Sequence, residues 1–590
     1  MPASRREFLL SSLSALVAPV RWEKKPGVNF YTQAYCDSLP LVYRGGAGLL
    51  TCKVDDVRLG LDAASTRVGG AEAHLEHRLT DGLLEAELRV KNHGSSQQTL
   101  SIEFASSAHP STSYGRERAH LPFTAGPHPV MKGIGTQETL PSDQFIGRPG
   151  ENAGTMEAFY REPQVDDPKP ETPRKLLLIP LTDIYHPEIA WRVALFSSPE
   201  RPWRVAAYGG PRGQGGWSLA TKVTLGAGEE LREKCFLLVH GGGPEVAWRA
   251  YHKYARRDTT PRAAWLDQVR VHYYDFLGPA GAEGRRGEGY VEDAKHFAEF
   301  HVGLATQHGY YPLLGDYIHP DRQRWKAMPS DSHGWFEMSL EEIRARVKLA
   351  RAAGAKAAIY MHTAGFDSAS KYAPALRDSV LIHHHGKSEP YNWEGPETVG
   401  ELWHMSIASE AWRRHLLRQA QWIMELIQPD AIVLDETFGG MGFDFRGGRC
   451  APLSGSMIQF LSELRRLVHS FGPDKAVLAS DCSLASMVQW TDGEAGDHAY
   501  WWLLGGEEFR KVPVRYLAAL GGKPWLACAW QFVGFWKEQM DLARKTGAGV
   551  GVSNGWIEYS GLTHLAPEVR ARLLRDIESL VDKRLTRSLS

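Results

Sequence analysis

Hydrophobic and polar residues alternate with a period of two through the first part of the chain, and with a helical period through the second. Leu84, Ala86, Leu88 and Val90 interleave with Glu85, Glu87 and Arg89, and similar short runs follow at Leu100–Phe104, Leu176–Leu181, Val193–Phe196 and Cys235–Val239. Such alternation gives a strand one apolar and one polar face. Clusters of Gly, Pro, Asn and Asp separate the runs, so residues 27–245 read as a β-sandwich. The polar, Pro-rich stretch 126–175 reads as long loops within it.

A helical linker covers 246–268, and from 269 to 590 apolar strands alternate with amphipathic helices. Ser339-Leu340-Glu341-Glu342 is a capping box. It opens a helix with Leu340, Ile343, Val347 and Ala350 on one face, and Gly354 stops it. Further stripes run through Trp412, Leu416, Ala420, Ile423 and Ile427, through Met457, Leu461, Leu464, Val468 and Phe471, and through Val569, Leu573, Ile577 and Leu580. Strands are predicted at Val269–Tyr274, Tyr311–Leu314, Ala357–Met361, Ala431–Leu434, Ala476–Ala479, His498–Trp502, Trp525–Ala529 and Val550–Ser553. Eight strands in this alternation predict a (β/α)8 TIM barrel. The fold class is therefore α/β plus all-β, an N-terminal sandwich followed by a barrel.

Composition adds an address and removes some partners. The 590 residues are 43% hydrophobic and 23% charged, with a formal net charge of −1. That balance gives no electrostatic reason to expect nucleic acid or an anionic membrane. Ser4-Arg5-Arg6-Glu7-Phe8-Leu9-Leu10, followed by a short apolar stretch to Val20, reads as a twin-arginine export signal over residues 1–26. The expected location is periplasmic or secreted, and no run reaches membrane-spanning length. The six cysteines show no C-x-x-C spacing, which argues against a zinc ribbon or thioredoxin motif. His383-His384-His385 reads as a solvated loop, because adjacent residues in regular structure cannot all face one ion. No metal site and no cofactor are expected.

Chemistry in a barrel collects at the C-terminal ends of its strands. The fourth strand, Ala431-Ile432-Val433-Leu434, runs into Asp435-Glu436. Burying a carboxylate after such a run is costly without a use for it, which makes Asp435 the centre of the candidate site. Glu436 points to the opposite side of an extended strand and is a candidate for holding sugar hydroxyls. Around them fall Asp316, His362, His404 and Asp481, and the segment Trp490-Thr491-Asp492-Gly493-Glu494 with Asp497 close behind. Trp335, Trp393, Trp403, Trp490 and Trp530, among 19 tryptophans, are candidate platforms for flat sugar faces. Acids flanked by aromatics, without an Arg or Lys cluster, suit glycoside hydrolysis, which needs a pair of carboxyl groups about 5–5.5 Å apart for retention or about 6.5–9.5 Å for inversion. Gly551-Val552-Ser553-Asn554-Gly555 matches a nucleophile elbow in letters only, because no helix is predicted directly after the serine.

A sandwich before a (β/α)8 barrel, with an Asp ending the fourth strand and a second acid near the sixth, resembles the α-galactosidase and α-glucosidase clan (glycoside hydrolase families 27, 31 and 36). The resemblance implies that Asp435 is the nucleophile, that Asp492 within Trp490-Thr491-Asp492 is the acid/base, and that Asp316 holds sugar hydroxyls. Val433 stands where the α-galactosidases carry a lysine. Glu494 and Asp497 are alternative acids for the second role. The expected function is an exported glycoside hydrolase that cleaves an α-linked glycoside with retention, its partner a carbohydrate. An inverting or lyase-type carbohydrate enzyme on the same scaffold, and a non-catalytic carbohydrate-binding protein, are the alternatives.

Overall fold

The computed structural model describes residues 20–24, 31–36, 39–40, 42–43, 50–59, 65–80, 83–106, 108–109, 118–120, 143–145, 156–160, 179–185, 191–208, 216–255, 262–275, 279–280, 285–286, 289–327, 336–382, 386–388, 399–437, 443–448, 451–480, 485–496, 525–527, 536–554 and 561–588. The chain divides into two compact units, with the main boundary between Asp258 and Thr259.

The first unit is antiparallel. One six-stranded sheet runs in the order Met156–Tyr160, Trp203–Tyr208, Gly216–Leu225, Gln98–Ser106, Thr51–Val54, Val57–Leu59. An eight-stranded sheet has Trp191–Ser197 and Glu230–Gly241 at its centre, with Leu83–Asn92 beside the latter. The predicted alternation is realised in Leu83–Asn92, where Leu84, Ala86, Leu88 and Val90 are buried while Glu85, Glu87 and Arg89 are partly exposed. Cys52 and Cys235 are buried free thiols in this unit.

The second unit is built on eight parallel strands: β1 Val271–Asp275, β2 Val302–Gln307, β3 Lys356–His362, β4 Ala431–Asp435, β5 Ala476–Ala479, β6 Gly493–Gly496, β7 Trp525–Ala527 and β8 Val550–Ser553. They pair in the order β7-β6-β5-β4-β3-β2-β1-β8. An isolated parallel bridge between Leu526 of β7 and Gly549, just ahead of β8, brings the two edges of the sheet together. The helices follow from local sequence. In α1, Leu340–Ala352, the Ser339 side chain accepts the Glu342 N–H as the capping box requires. Helix α2, Glu410–Leu426, buries Trp412, Leu416, Ala420 and Ile423, and α3, Ser454–His469, buries Met457, Leu461, Leu464 and Val468.

Two strands lie elsewhere than the sequence predicts. The second strand is Val302–Gln307 and not Tyr311–Leu314, which belongs to the loop after it. The sixth is Gly493–Gly496, and residues 498–502 lie outside the described residues. Both errors have one cause. Gly303 dilutes the first of these strands and two glycines with a glutamate make up most of the second, so neither reads as an apolar run. Pairing with neighbouring strands overrides weak strand propensity at such places.

One apolar cluster joins Leu304, Ala358, Ala431, Val433, Ala476, Leu478, Ala495 and Leu526, residues of β2 to β7, with Ala263, Leu266 and Val269 from the segment ahead of β1. Residues from six consecutive strands meet this way only on the concave face of a curled sheet. With a side-chain period of two, the cluster identifies which residues face inward. Past the cluster at the C-terminal ends, the same face carries Thr306, Tyr360, His362 and Asp435.

Candidate active site

Asp435 ends β4 in register with His362 of β3. It is half-buried where the four residues before it are fully buried. Its carboxylate is held from two sides: the Tyr360 hydroxyl donates to Oδ2 at 2.8 Å, and the Glu436 N–H donates to Oδ1 at 2.8 Å. Neither donor carries a charge, so the anion is oriented without being neutralised.

The backbone behind this carboxylate is fixed by its neighbours. Thr363, directly after β3, donates its hydroxyl to the carbonyls of Asp435 at 3.0 Å and Glu436 at 2.8 Å. The Ser480 N–H donates to Leu434 O at 2.6 Å, and Thr437 Oγ1 donates to Ser480 O at 2.5 Å. Glu436 has φ +53°, a left-handed conformation that costs a non-glycine residue of order 1–3 kcal/mol and persists where surrounding contacts dictate it. The turn directs the buried Glu436 carboxylate to His362, with Oε2 3.4 Å from Nε2. His362 Nδ1 accepts the N–H groups of Ala364 (3.1 Å) and Gly365 (2.8 Å), so the ring proton is on Nε2, facing Glu436. The close approach needs glycine at 365, because a Cβ there would collide with the Leu314 side chain. Burial, partly opposed by the Asp435 charge, lowers the His362 pKa to about 4. His404 is lowered to about 4 by burial and then by His362. Both imidazoles are neutral at physiological pH.

Buried aromatic side chains pack beside Asp435. The Tyr360 ring lies 3.9 Å from His308, 6.1 Å from Tyr311 and 6.5 Å from Tyr274, centroid to centroid. Burial lowers the His308 pKa to about 3, against the raising effect of Asp435. Burial, then the Asp435 charge, pushes the Tyr360 phenol up, so it keeps its proton as a donor. Sequence reasoning did not select Tyr360, His308 or Tyr311. Aromatics in or beside an apolar strand read as core, and only the parity of Tyr360 with Ala358 and of His308 with Leu304 could have marked those two, while Tyr311 lies in the loop beyond β2.

The remaining predicted residues divide sharply. Asp492 is at the wrong end of β6. Its N–H donates to Val477 O at 2.7 Å and its Oδ2 accepts the Val477 N–H at 2.8 Å. Val477 pairs with Ile432, at the start of β4, so Asp492 belongs to the N-terminal ends of the strands and Asp435 to the C-terminal ends. Both oxygens of Asp492 are occupied: Arg465 binds Oδ1 at 2.7 Å and His469 lies 2.9 Å from Oδ2. Burial raises its pKa, but the His469 hydrogen bond, the Arg465 charge and hydrogen bond, and the Val477 N–H outweigh it, and the carboxyl ends below its ordinary value. A proton donor needs the opposite shift. Trp490, half-buried, sits beside Asp492 in sequence and shares that end.

Glu494 is within β6, paired with Ala479. It is buried and alternates with the inward-facing Ala495, so it points toward the helical layer. Asp316 lies beyond the end of β2, where Arg322 grips it bidentately (3.0 and 3.1 Å) and Ser370 donates at 3.2 Å. It clamps a loop and its oxygens are engaged. Trp403 and His404 sit on a strand, Leu402–His404, that pairs with Gly365–Asp367 directly after β3. His404 is coupled to His362. Trp403 packs on Phe366 (centroids 6.0 Å apart) and donates to Glu401 at 3.3 Å. Asp481, Trp530, Asp497, Trp335, Trp393 and the three consecutive histidines lie outside the described residues, as does the twin-arginine segment. Ser553 of the elbow-like motif is buried within β8, and Asn554 donates to Asp275 of β1. That is a strand-to-strand bond, not a nucleophile elbow.

The bonding of Asp492 makes a prediction. Asp492→Asn leaves Arg465 buried without its anion, so urea unfolding should show a loss of about 3–5 kcal/mol with little change in any activity. Because its folded pKa is lowered, Asp492 contributes stability above its unfolded pKa of about 3.9, and that contribution is lost as pH falls through the folded value. The variant and wild type should therefore converge in stability only below about pH 4.

Among the described residues no helix is long and apolar enough to cross a membrane. No protein-family profile and no curated protein matches the sequence. Solved structures do match. A variant of the family 36 α-galactosidase AgaA of Geobacillus stearothermophilus, in complex with 1-deoxygalactonojirimycin, aligns with a TM-score of 0.54 at 12% identity over 96% of this chain and 74% of that one. The galactosidase domain of the α-galactosidase–sucrose kinase AgaSK aligns with a TM-score of 0.55 at 12% identity, over 92% of this chain and 76% of that one. A further AgaA variant, in complex with raffinose, gives 0.55 at 11% identity over 93% and 78%. At these identities the likeness is one of fold, and it is to the clan that the sequence resembles.

Proposed function

We propose that this protein is a glycoside hydrolase cleaving an α-linked glycoside with retention, on a (β/α)8 barrel that follows a β-sandwich in the sequence, with Asp435 as nucleophile. The observation that carries this reading is the setting of Asp435. It ends an inner strand on the concave face, remains partly open, and is oriented by two neutral donors, within a fold similar to that of α-galactosidases. The bridge from Leu526 to Gly549 supports closure of the barrel.

The second carboxyl group is reassigned. Ala495 of β6 faces inward, and two positions further on the chain carries Asp497. Asp492 is held at the N-terminal ends of the strands and Glu494 lies on the other face of β6, which leaves Asp497, among the acids of this segment, as the acid/base. In the first step Asp435 attacks the anomeric carbon, the glycosidic C–O bond breaks, and the Asp497 carboxylic acid protonates the leaving oxygen. In the second the Asp497 carboxylate takes a proton from water, whose oxygen displaces Asp435 from the anomeric carbon. His362 and Glu436 hold the floor beside the nucleophile, and Tyr274, His308 and Tyr311 pack around Tyr360 behind it. The sequence signal supports export by the twin-arginine route to the periplasm or beyond.

The test is a panel of aryl α- and β-glycosides, followed by NMR of the first product formed from the best substrate. Retention gives the α-anomer first. An initial β-product from an α-glycoside means inversion, and glycan binding without any turnover means a binding protein.

A further inference from the structure

Tyr360 touches a reacting atom that nothing in the sequence led us to connect with it. Its ring is wedged by His308, Tyr311 and Tyr274, and its hydroxyl reaches Asp435 Oδ2 at 2.8 Å. We propose that Tyr360 is a catalytic residue of the second step, stabilising the Asp435 carboxylate as it departs from the anomeric carbon. The inference rests on Asp435 being the nucleophile.

The reasoning is a difference between states. A hydrogen bond is stronger to a carboxylate than to an ester oxygen. In the free enzyme Asp435 is an anion and the bond is strong. In the glycosyl–enzyme Asp435 is an ester and the bond is weak. When water attacks, the bond between the anomeric carbon and Asp435 breaks, its electron pair returns to the carboxylate, and the bond from Tyr360 regains strength in the transition state. Such an interaction, stronger in the transition state than in the state before it, accelerates that step. In the first step it runs the other way, because the free carboxylate is the better stabilised form. Tyr360 therefore favours release of the intermediate over its formation.

The described groups packed around this bond come from four neighbouring elements. Tyr274 comes from β1, His308, Tyr311 and Tyr317 from β2 and the loop after it, His362 from β3 with His404 behind it, and Glu436 follows β4; Glu436 alone among these is a carboxylate, and it faces His362.

The experiment compares wild type, Tyr360→Phe and Asp435→Asn on an activated aryl α-glycoside, whose phenolate leaves without protonation. Tyr360→Phe should lower kcat and KM together, by on the order of ten- to a hundredfold, while kcat/KM on its pH plateau stays within several-fold. A pre-steady-state burst of phenolate should grow as the intermediate accumulates. A Tyr360 with a purely structural role gives a fall in kcat/KM and no larger burst. Replacing Tyr360 with 3-fluorotyrosine, a stronger donor of nearly the same shape, should raise kcat and shrink the burst, which keeps the test decisive if Tyr360→Phe folds poorly. An unchanged burst and unchanged kcat in both variants, with Asp435→Asn inactive, overturn the role of Tyr360 alone. An Asp435→Asn enzyme that turns over like wild type overturns the nucleophile and this inference with it.

Discussion

Asp435→Asn is expected to lower kcat/KM on the preferred α-glycoside by at least roughly a thousandfold while the circular dichroism spectrum stays that of wild type. The amide keeps the shape of the side chain and a place for the Tyr360 hydrogen bond, but it does not attack an anomeric carbon. Azide added to an Asp435→Ala variant should fill the space the carboxylate leaves and give the β-glycosyl azide, since it approaches from the nucleophile's face. Wild-type turnover in Asp435→Asn would remove this carboxylate from the chemistry. The expectation rests on how the side chain is held. Rigid β4 carries it, Thr363 and Ser480 tie the strand end to β3 and β5, and the strained Glu436 turn gives its own N–H to Asp435 Oδ1. A site built on strands keeps its geometry more closely than one built on loops.

The second large effect separates Asp497 from Asp492. Asp497→Ala should cost roughly 10²- to 10⁴-fold in kcat/KM for substrates with poor leaving groups, and far less for activated ones that need no protonation. Azide should then give the α-glycosyl azide, because it replaces water in the second step. Asp492→Asn should show neither effect and should lose stability instead, in line with its bonds to Arg465, His469 and Val477. If Asp492→Asn shows the leaving-group dependence and Asp497→Ala does not, the assignment of the acid/base is wrong.

These two residues also show how far the sequence carries. β3, β4, β5 and β8 are apolar runs bounded by helices, and each lies within about two residues of its expected place. Asp435 was legible because a carboxylate directly after a buried strand is conspicuous. β6 was not, because Gly493-Glu494-Ala495-Gly496 has a single hydrophobic residue. Its identity as a strand comes from pairing with β5 and β7, and pairing is a tertiary fact. Once the sixth strand is placed five residues too late, Asp492 and Glu494 look like mouth residues of a loop. In fact Asp492 starts the strand at its far end and Glu494 faces the helices. Asp316 failed for a related reason. With β2 moved back to Val302–Gln307, it is a loop residue with an arginine clamped to it. Tyr360 was hidden by the reverse effect, since an aromatic inside an apolar strand gives no sign that its hydroxyl reaches a carboxylate two positions beyond Val433 on the next strand.

The most direct measurement is covalent trapping. Wild-type protein incubated with a cyclitol epoxide of α-glycoside configuration, then digested and sequenced by tandem mass spectrometry, should carry one label, on the Asp435 carboxylate, with activity lost in step with labelling. A label on any other carboxyl group, or full inactivation with Asp435 unmodified, would contradict the account.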